Sequence, residues 1–229
     1  KVKKVIHFSS AAVYEGILNG ANNPLSENVK INPKLMYPVS KWLSEEYVKV
    51  QAEVHKIKTF SLRLFNLYGP HQDYFRDQPP LIGYLLRTLL NKECAKIYGK
   101  KNCKRDYVYI DDLIRFLVIL MNSDPKEGYY DVINVGSGKS YDVFDIIKEL
   151  NKVSASELVF EKADPVYFWN DYERASARTI TLPSDLLKAE VNKVAYADLS
   201  KAKKYGYNPI VDMKDGLKEC LANALEYFR

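Results

Sequence analysis

Three short runs of apolar and β-branched residues, KKVIHFSS (3–10), TFSLRLFN (59–66) and YDVINVG (130–136), are each followed by a longer segment with helical periodicity. A continuous apolar run of this length suits a strand covered on both faces, and strands that alternate with helices build a parallel α/β sheet. With 229 residues, 47% of them hydrophobic, the chain has enough apolar matter for a large core. The first helix is expected from Pro38, with Val39, Trp42, Leu43, Tyr47, Val50 and Val54 on one face and charges opposite. Further helices are expected at about 80–91, 111–122, 141–153 and 212–228, and Asp198 reads as the N-cap of a short helix that Gly206 ends. Residues 163–187 are irregular and aromatic, in the manner of a binding loop or lid.

Composition removes several classes of function. No run of eighteen apolar residues occurs and the first ten residues lack a secretory h-region, so a cytoplasmic protein without a membrane partner is expected. Cys94, Cys103 and Cys220 are odd in number and lack Cys-x-x-Cys spacing, and His7, His55 and His71 lack metal spacing. Disulfides and a metal site are therefore not expected. The formal charge of +5 spreads 34 Lys and Arg among 29 acids, which argues against a nucleic-acid partner.

A Tyr-x-x-x-Lys pair alone carries no weight in a chain with 18 Tyr, but Tyr37 and Lys41 stand at a helix start. That spacing brings both side chains to one face. An ammonium nearby favours a phenolate, which lets a tyrosine act as a general base. The serines that end the first strand could share a substrate proton with it, or could simply close the strand. Neither Gly-x-Gly-x-x-Gly nor Gly-x-x-x-x-Gly-Lys follows any strand. Gly136 and Gly138, in NVGSGKSYDV (134–143), read as a turn rather than a phosphate cradle.

In order along the chain, SSAAVYE, YPVSK, LRLFNLYGP, KRDYVYIDDL, NVGSGKSYDV and ADLSKAKKYGYNP resemble the extended short-chain dehydrogenase/reductase group, the NAD-dependent sugar-nucleotide epimerases and dehydratases. The resemblance implies the C-terminal part of a Rossmann-like doubly wound parallel sheet with a smaller α+β substrate-binding domain. Residues 1–75, interleaved with 107–136, would be what is present of the NAD-binding domain. Residues 76–106 and 137–229 would mainly bind the sugar nucleotide. The family's opening glycine-rich turn and first βαβ units have no counterpart here, so the expectation is a portion of a longer protein that lacks roughly 90 residues or more, at about 30 per unit.

The resemblance also assigns roles. Ser10, Tyr37 and Lys41 would be catalytic and hold the nicotinamide end of NAD, with NADP as the alternative, and Phe65 would lie against the ring. Asn66 and Arg105 would bind the diphosphate of a nucleotide sugar, a task that suits a guanidinium fork; Arg105 could instead pair with Asp106 or Asp111. Leu81 and Tyr98 would line the base pocket, with a plain core aromatic as the other reading of Tyr98. Arg174 and Arg178 are candidate second phosphate ligands.

Ala11 and Ala12 stand where the dehydratases carry Asp-Glu, so the expected reaction is epimerisation, foremost at C4 of a UDP-sugar, by transient oxidation. A 4-keto-sugar reductase, a heptose-nucleotide epimerase and a non-catalytic scaffold are the alternatives. Pro80, where the UDP-galactose type carries Asn, departs from the pattern. A homodimer through the face of Tyr47 and Val50 to Val54 is expected as well, although core packing would explain the same residues.

Overall fold

The computed structural model describes residues 2–17, 23–77, 79–98, 103–163 and 189–228. In chain order the elements are β1 (Lys4–Ser10), a 3-10 turn η1 (Ala11–Tyr14), α1 (Met36–His55), β2 (Lys58–Leu64), β3 (Asn66–Tyr68), α2 (Leu81–Leu90), β4 (Ala95–Ile97), β5 (Lys104–Arg105), β6 (Tyr107–Tyr109), α3 (Ile110–Asn122), β7 (Tyr130–Val135), α4 (Val143–Val153), β8 (Phe160–Lys162), β9 (Val194–Ala195), α5 (Ser200–Lys204) and α6 (Met213–Tyr227). The strands and helices expected from periodicity are present. Among the described residues no helix is long and apolar enough to cross a membrane.

The chain divides into two compact units. The first comprises Lys1–Leu67, Arg105–Ser140 and Ala195–Ile210. Its sheet is parallel, in the order β1-β2-β7, and its register sets Ser10 opposite Leu64 and Leu64 opposite Val135. Phe60, Leu62, Ile133 and Val135 are wholly buried, as continuous apolar strands require. Lys4 donates to the terminal carbonyls of α3 at Leu120 (2.9 Å) and Met121 (2.7 Å), where a cation complements the helix end. Residues 195–210 join the first unit, because Ala195, Ala197, Leu199, Ala202 and Tyr207 belong to that unit's apolar core.

The second unit comprises Tyr68–Lys104, Tyr141–Val194 and Val211–Arg229. Within it α6 packs on α2 and α4, and β4 pairs in parallel with β8. Helix α4 closes its own start, since the Asp142 carboxylate accepts from the Asp145 N–H and the Asp145 side chain reaches back to the Asp142 N–H. It buries Val143, Ile146, Ile147 and Leu150.

Helix α1 turns its apolar row outward, which is the first of the two readings the sequence leaves open for it. Leu43, Tyr47, Val50 and Val54 are exposed, Tyr47 and Val54 each at 65%. The buried residues of α1 are Pro38, Glu45 and Ala52. Glu45 has a partner on β2, Arg63, described below.

Candidate active site

Ser10 is the last residue of β1 and the N-cap of η1, where its Oγ accepts from the Ala12 N–H at 3.1 Å. A hydroxyl has one hydrogen and two lone pairs, so this bond leaves a donor and an acceptor for a ligand. Tyr37 lies in the first turn of α1 and is 57% exposed. The Lys41 ammonium stands 5.8 Å from the centre of its ring. Lys41 also donates to the Phe8 carbonyl at 2.9 Å, which fastens α1 to β1 two residues before Ser10. An ammonium has three donors, so two are left for a ligand.

Asn66 and the backbone at Arg105 meet through Asp106. The Asp106 carbonyl accepts from the Asn66 backbone N–H at 3.0 Å and from its side-chain amide at 3.1 Å. Phe65 is buried, 6.3 Å from the Tyr14 ring. In the second unit, Leu81 opens α2 and Tyr98 follows β4; the Tyr84 hydroxyl of α2 accepts from the Lys96 N–H of β4 at 2.8 Å. Arg174 and Arg178, with nearly all of the expected loop at 163–187, lie outside the described residues.

The pair Gly136 and Gly138 serves an anion of the protein's own. The Asp106 carboxylate accepts from the Ser137 N–H (2.7 Å), the Ser137 hydroxyl (2.7 Å), the Gly138 N–H (2.9 Å) and the Ala197 N–H (3.1 Å). A Cβ on Gly136 would stand 2.4 Å from Asp106 Oδ2, and Gly138 holds a φ of +74°. Burial raises the Asp106 carboxyl above its ordinary range, and these four bonds oppose the rise.

Sequence reasoning missed a buried polar network beside the catalytic candidates. Glu45 Oε1 accepts from Ser9 Oγ (2.5 Å) and Arg63 Nε (3.0 Å), and Oε2 accepts from Arg63 Nη2 (2.7 Å). Arg63 Nη1 donates to the Tyr14 hydroxyl (3.0 Å), which donates to Asn134 Oδ1 (2.8 Å). Burial pushes the Tyr14 phenol up to about 12, against the opposing pull of Arg63 and Asn134. Two signals could have found the network. Arg63 is a lone charge in an apolar strand and demands a partner, and Glu45 repeats the four-residue step from Tyr37 to Lys41 along one face of α1.

Residues 1–136 match the NAD dependent epimerase/dehydratase family. A putative UDP-glucose 4-epimerase of Methanocaldococcus jannaschii is 29% identical over 220 residues, which cover 95% of this chain and 61% of that relative. Among solved structures, the UDP-glucuronic acid 4-epimerase of Bacillus cereus, in complex with UDP-glucuronic acid and NAD, superposes with a TM-score of 0.76 at 26% identity, covering 99% of this chain and 63% of that one. The UDP-glucose 4-epimerase of Thermotoga maritima, with UDP-glucose, gives a TM-score of 0.76 at 26% identity, covering 100% of this chain and 65% of that one. The chain therefore spans less than two thirds of the length of these relatives.

Proposed function

This chain belongs to the NAD dependent epimerase/dehydratase family, and on that premise we propose that, within its full-length protein, it epimerises a nucleotide-diphosphate sugar, foremost at C4 of a UDP-sugar. The observation that carries the reading is the seating of Tyr37 and Lys41 on one face of α1, with Lys41 tied to β1 just before Ser10. The donors left on Ser10 and Lys41 fit the nicotinamide half of NAD, which those residues and Tyr37 would hold. The turn at 136–138 does not fit a cofactor phosphate, since Asp106 fills it. When bound, NAD would supply the hydride acceptor, and in its reduced form the hydride donor, for the sugar carbon.

The chain's own residues move the proton. Tyr37 accepts the proton of the C4 hydroxyl and later returns it, Ser10 orients that hydroxyl, and the Lys41 charge stabilises the negative charge that develops on the phenol oxygen. Asn66 and Arg105 hold the diphosphate, so the nucleotide stays anchored while the sugar presents its other face. Leu81 and Tyr98 receive the base. The exposed row of Leu43, Tyr47, Val50 and Val54 on α1 is the surface through which two copies pair. In size-exclusion chromatography, a Tyr47→Glu variant that elutes at half the wild-type mass supports this pairing, and an unchanged mass removes it.

The test of the activity is interconversion of UDP-glucose and UDP-galactose by the full-length protein, followed by proton NMR. Tyr37→Phe is expected to lower kcat by at least about 100-fold, at the lower end of what a positioned acid or base contributes, with binding of UDP-glucose retained. Undiminished turnover by that variant overturns the reading.

A further inference from the structure

Helix α1 carries Tyr37 and Lys41, yet within the single chain its apolar row of Leu43, Tyr47, Val50 and Val54 is uncovered and its buried residues are Pro38, Glu45 and Ala52. We propose that two buried carboxylates, Glu15 and Glu45, are positioning residues that set the roll and the axial register of α1 against Ser10. The proposal rests on the reading of Tyr37 and Lys41 as reacting groups.

Glu45 lies two turns beyond Tyr37 and one beyond Lys41. It touches every strand of the parallel sheet. Its carboxylate accepts from Ser9 of β1 and from both Nε and Nη2 of Arg63 on β2, and its backbone carbonyl accepts from the Tyr130 hydroxyl of β7 at 3.1 Å. Apolar contacts are non-directional and tolerate sliding. A carboxylate held by a guanidinium fork tolerates neither sliding nor rotation, because both displacements break the paired bonds. Ser9 is next to Ser10, so the helix is held against the strand end that carries the catalytic hydroxyl.

Glu15 acts at the other end of the catalytic segment. Leu35, the N-cap of α1, offers no side-chain bond, so the helix start has no cap of its own. Glu15 Oε2 supplies one from outside, accepting from the Lys34 N–H (2.5 Å) and the Leu35 N–H (3.0 Å). A carboxylate is the group that a helix N-terminus favours. Glu15 is delivered there by η1, the turn that Ser10 caps, and its own N–H donates to the Ala12 carbonyl at 2.9 Å. An unbroken run of bonds thus leads from Ser10 through η1 and Glu15 to the residue two before Tyr37. Seen together, the two carboxylates bracket the catalytic turn of α1.

The experiment compares Glu15→Gln, Glu45→Gln and the milder Ser9→Ala with wild type in the full-length protein. It measures kcat and KM for UDP-glucose, the thermal midpoint, and amide hydrogen exchange over residues 36–41. Each glutamine variant is expected to lose about 10- to 100-fold in kcat, the scale of an ångström-sized misplacement, with KM changed less than about 3-fold and faster exchange at 36–41. Ser9→Ala is expected to show the same pattern at smaller amplitude, and it serves where a glutamine variant fails to fold. A lowered thermal midpoint with kcat unchanged overturns the proposal, as does a parallel loss of kcat and affinity. Tyr37→Phe is the control for the underlying reading. If that variant keeps its turnover, the catalytic assignment has failed, and exchange at 36–41 decides the positioning claim by itself: unchanged exchange in both glutamine variants overturns it.

Discussion

Helix α4 turns Val143, Ile146, Ile147 and Leu150 inward and caps itself with its own Asp142 and Asp145, whereas α1 turns Leu43, Tyr47, Val50 and Val54 outward, buries Glu45 and is capped by Glu15 from twenty residues upstream of Leu35. Each helix sits within its own unit and is held by a different kind of force. The contacts of α4 are mainly local or apolar and tolerate small shifts, with one long-range ion pair, Lys104 to Asp145 at 3.2 Å, at its half-exposed start. Those of α1 are directional and come from β1, β2, β7 and η1. A helix that only has to fill space can rely on burial, while one with the reacting groups proposed for α1 needs bonds that specify angle as well as proximity.

Three measurements break or sharpen this contrast. Arg63→Met strips the partner from Glu45, whose side chain is 2% exposed, and is expected to cost about 3–5 kcal/mol, because a buried charge is left unpaired. Urea unfolding reads this directly, and a loss below about 1 kcal/mol would mean that the polar seam under α1 is not what holds it. Ile146→Ala in α4 is expected to cost about 2–5 kcal/mol through lost burial and the cavity it leaves. Its effect on kcat is expected to be small, so a fall in kcat comparable to that of Glu45→Gln would erase the distinction between the helices.

The smallest effect concerns pH. Burial lowers His7 from its ordinary value of 6.5, the nearby Lys41 charge lowers it further, and Glu45 opposes them. His7 Nδ1 and Ser61 Oγ are 3.0 Å apart. The unfolded chain therefore binds more protons than the folded one just below pH 6.5, so His7's contribution is complete above that pH and is lost as pH falls toward the lower folded value. Thermal midpoints are expected to decline from pH 7 to pH 5 less steeply in His7→Gln than in wild type. Equal slopes would exclude His7 as a contributor.

The strands and helices were legible because apolar periodicity reports them directly: KKVIHFSS, TFSLRLFN and YDVINVG are all strands of one sheet. The pairing of Tyr37 with Lys41 was legible for the same reason, as a spacing on a helix. The direction of α1 was not. A stripe of Leu43, Tyr47, Val50 and Val54 has the same periodicity whether it faces a core or solvent, and the partner that marks the inward side, Arg63, lies eighteen residues beyond Glu45 on β2. Glu15 was hidden more deeply, since it caps a helix whose start lies beyond a long connection, and no local pattern encodes that contact. The grouping of 195–210 with the first unit was equally a matter of long-range packing.

The turn at 136–138 has a consequence of another kind. Its donors converge as a receptor for an oxyanion would, but the guest is Asp106, supplied by the same molecule. A guest on a tether has an effective concentration set by chain geometry, which dilution cannot lower. Phosphate free in solution must compete against an occupant that never leaves the neighbourhood. The turn therefore works as a latched clasp, joining the end of β7 and Ala197 to Asp106, whose carbonyl holds Asn66, whatever the supply of anions around it.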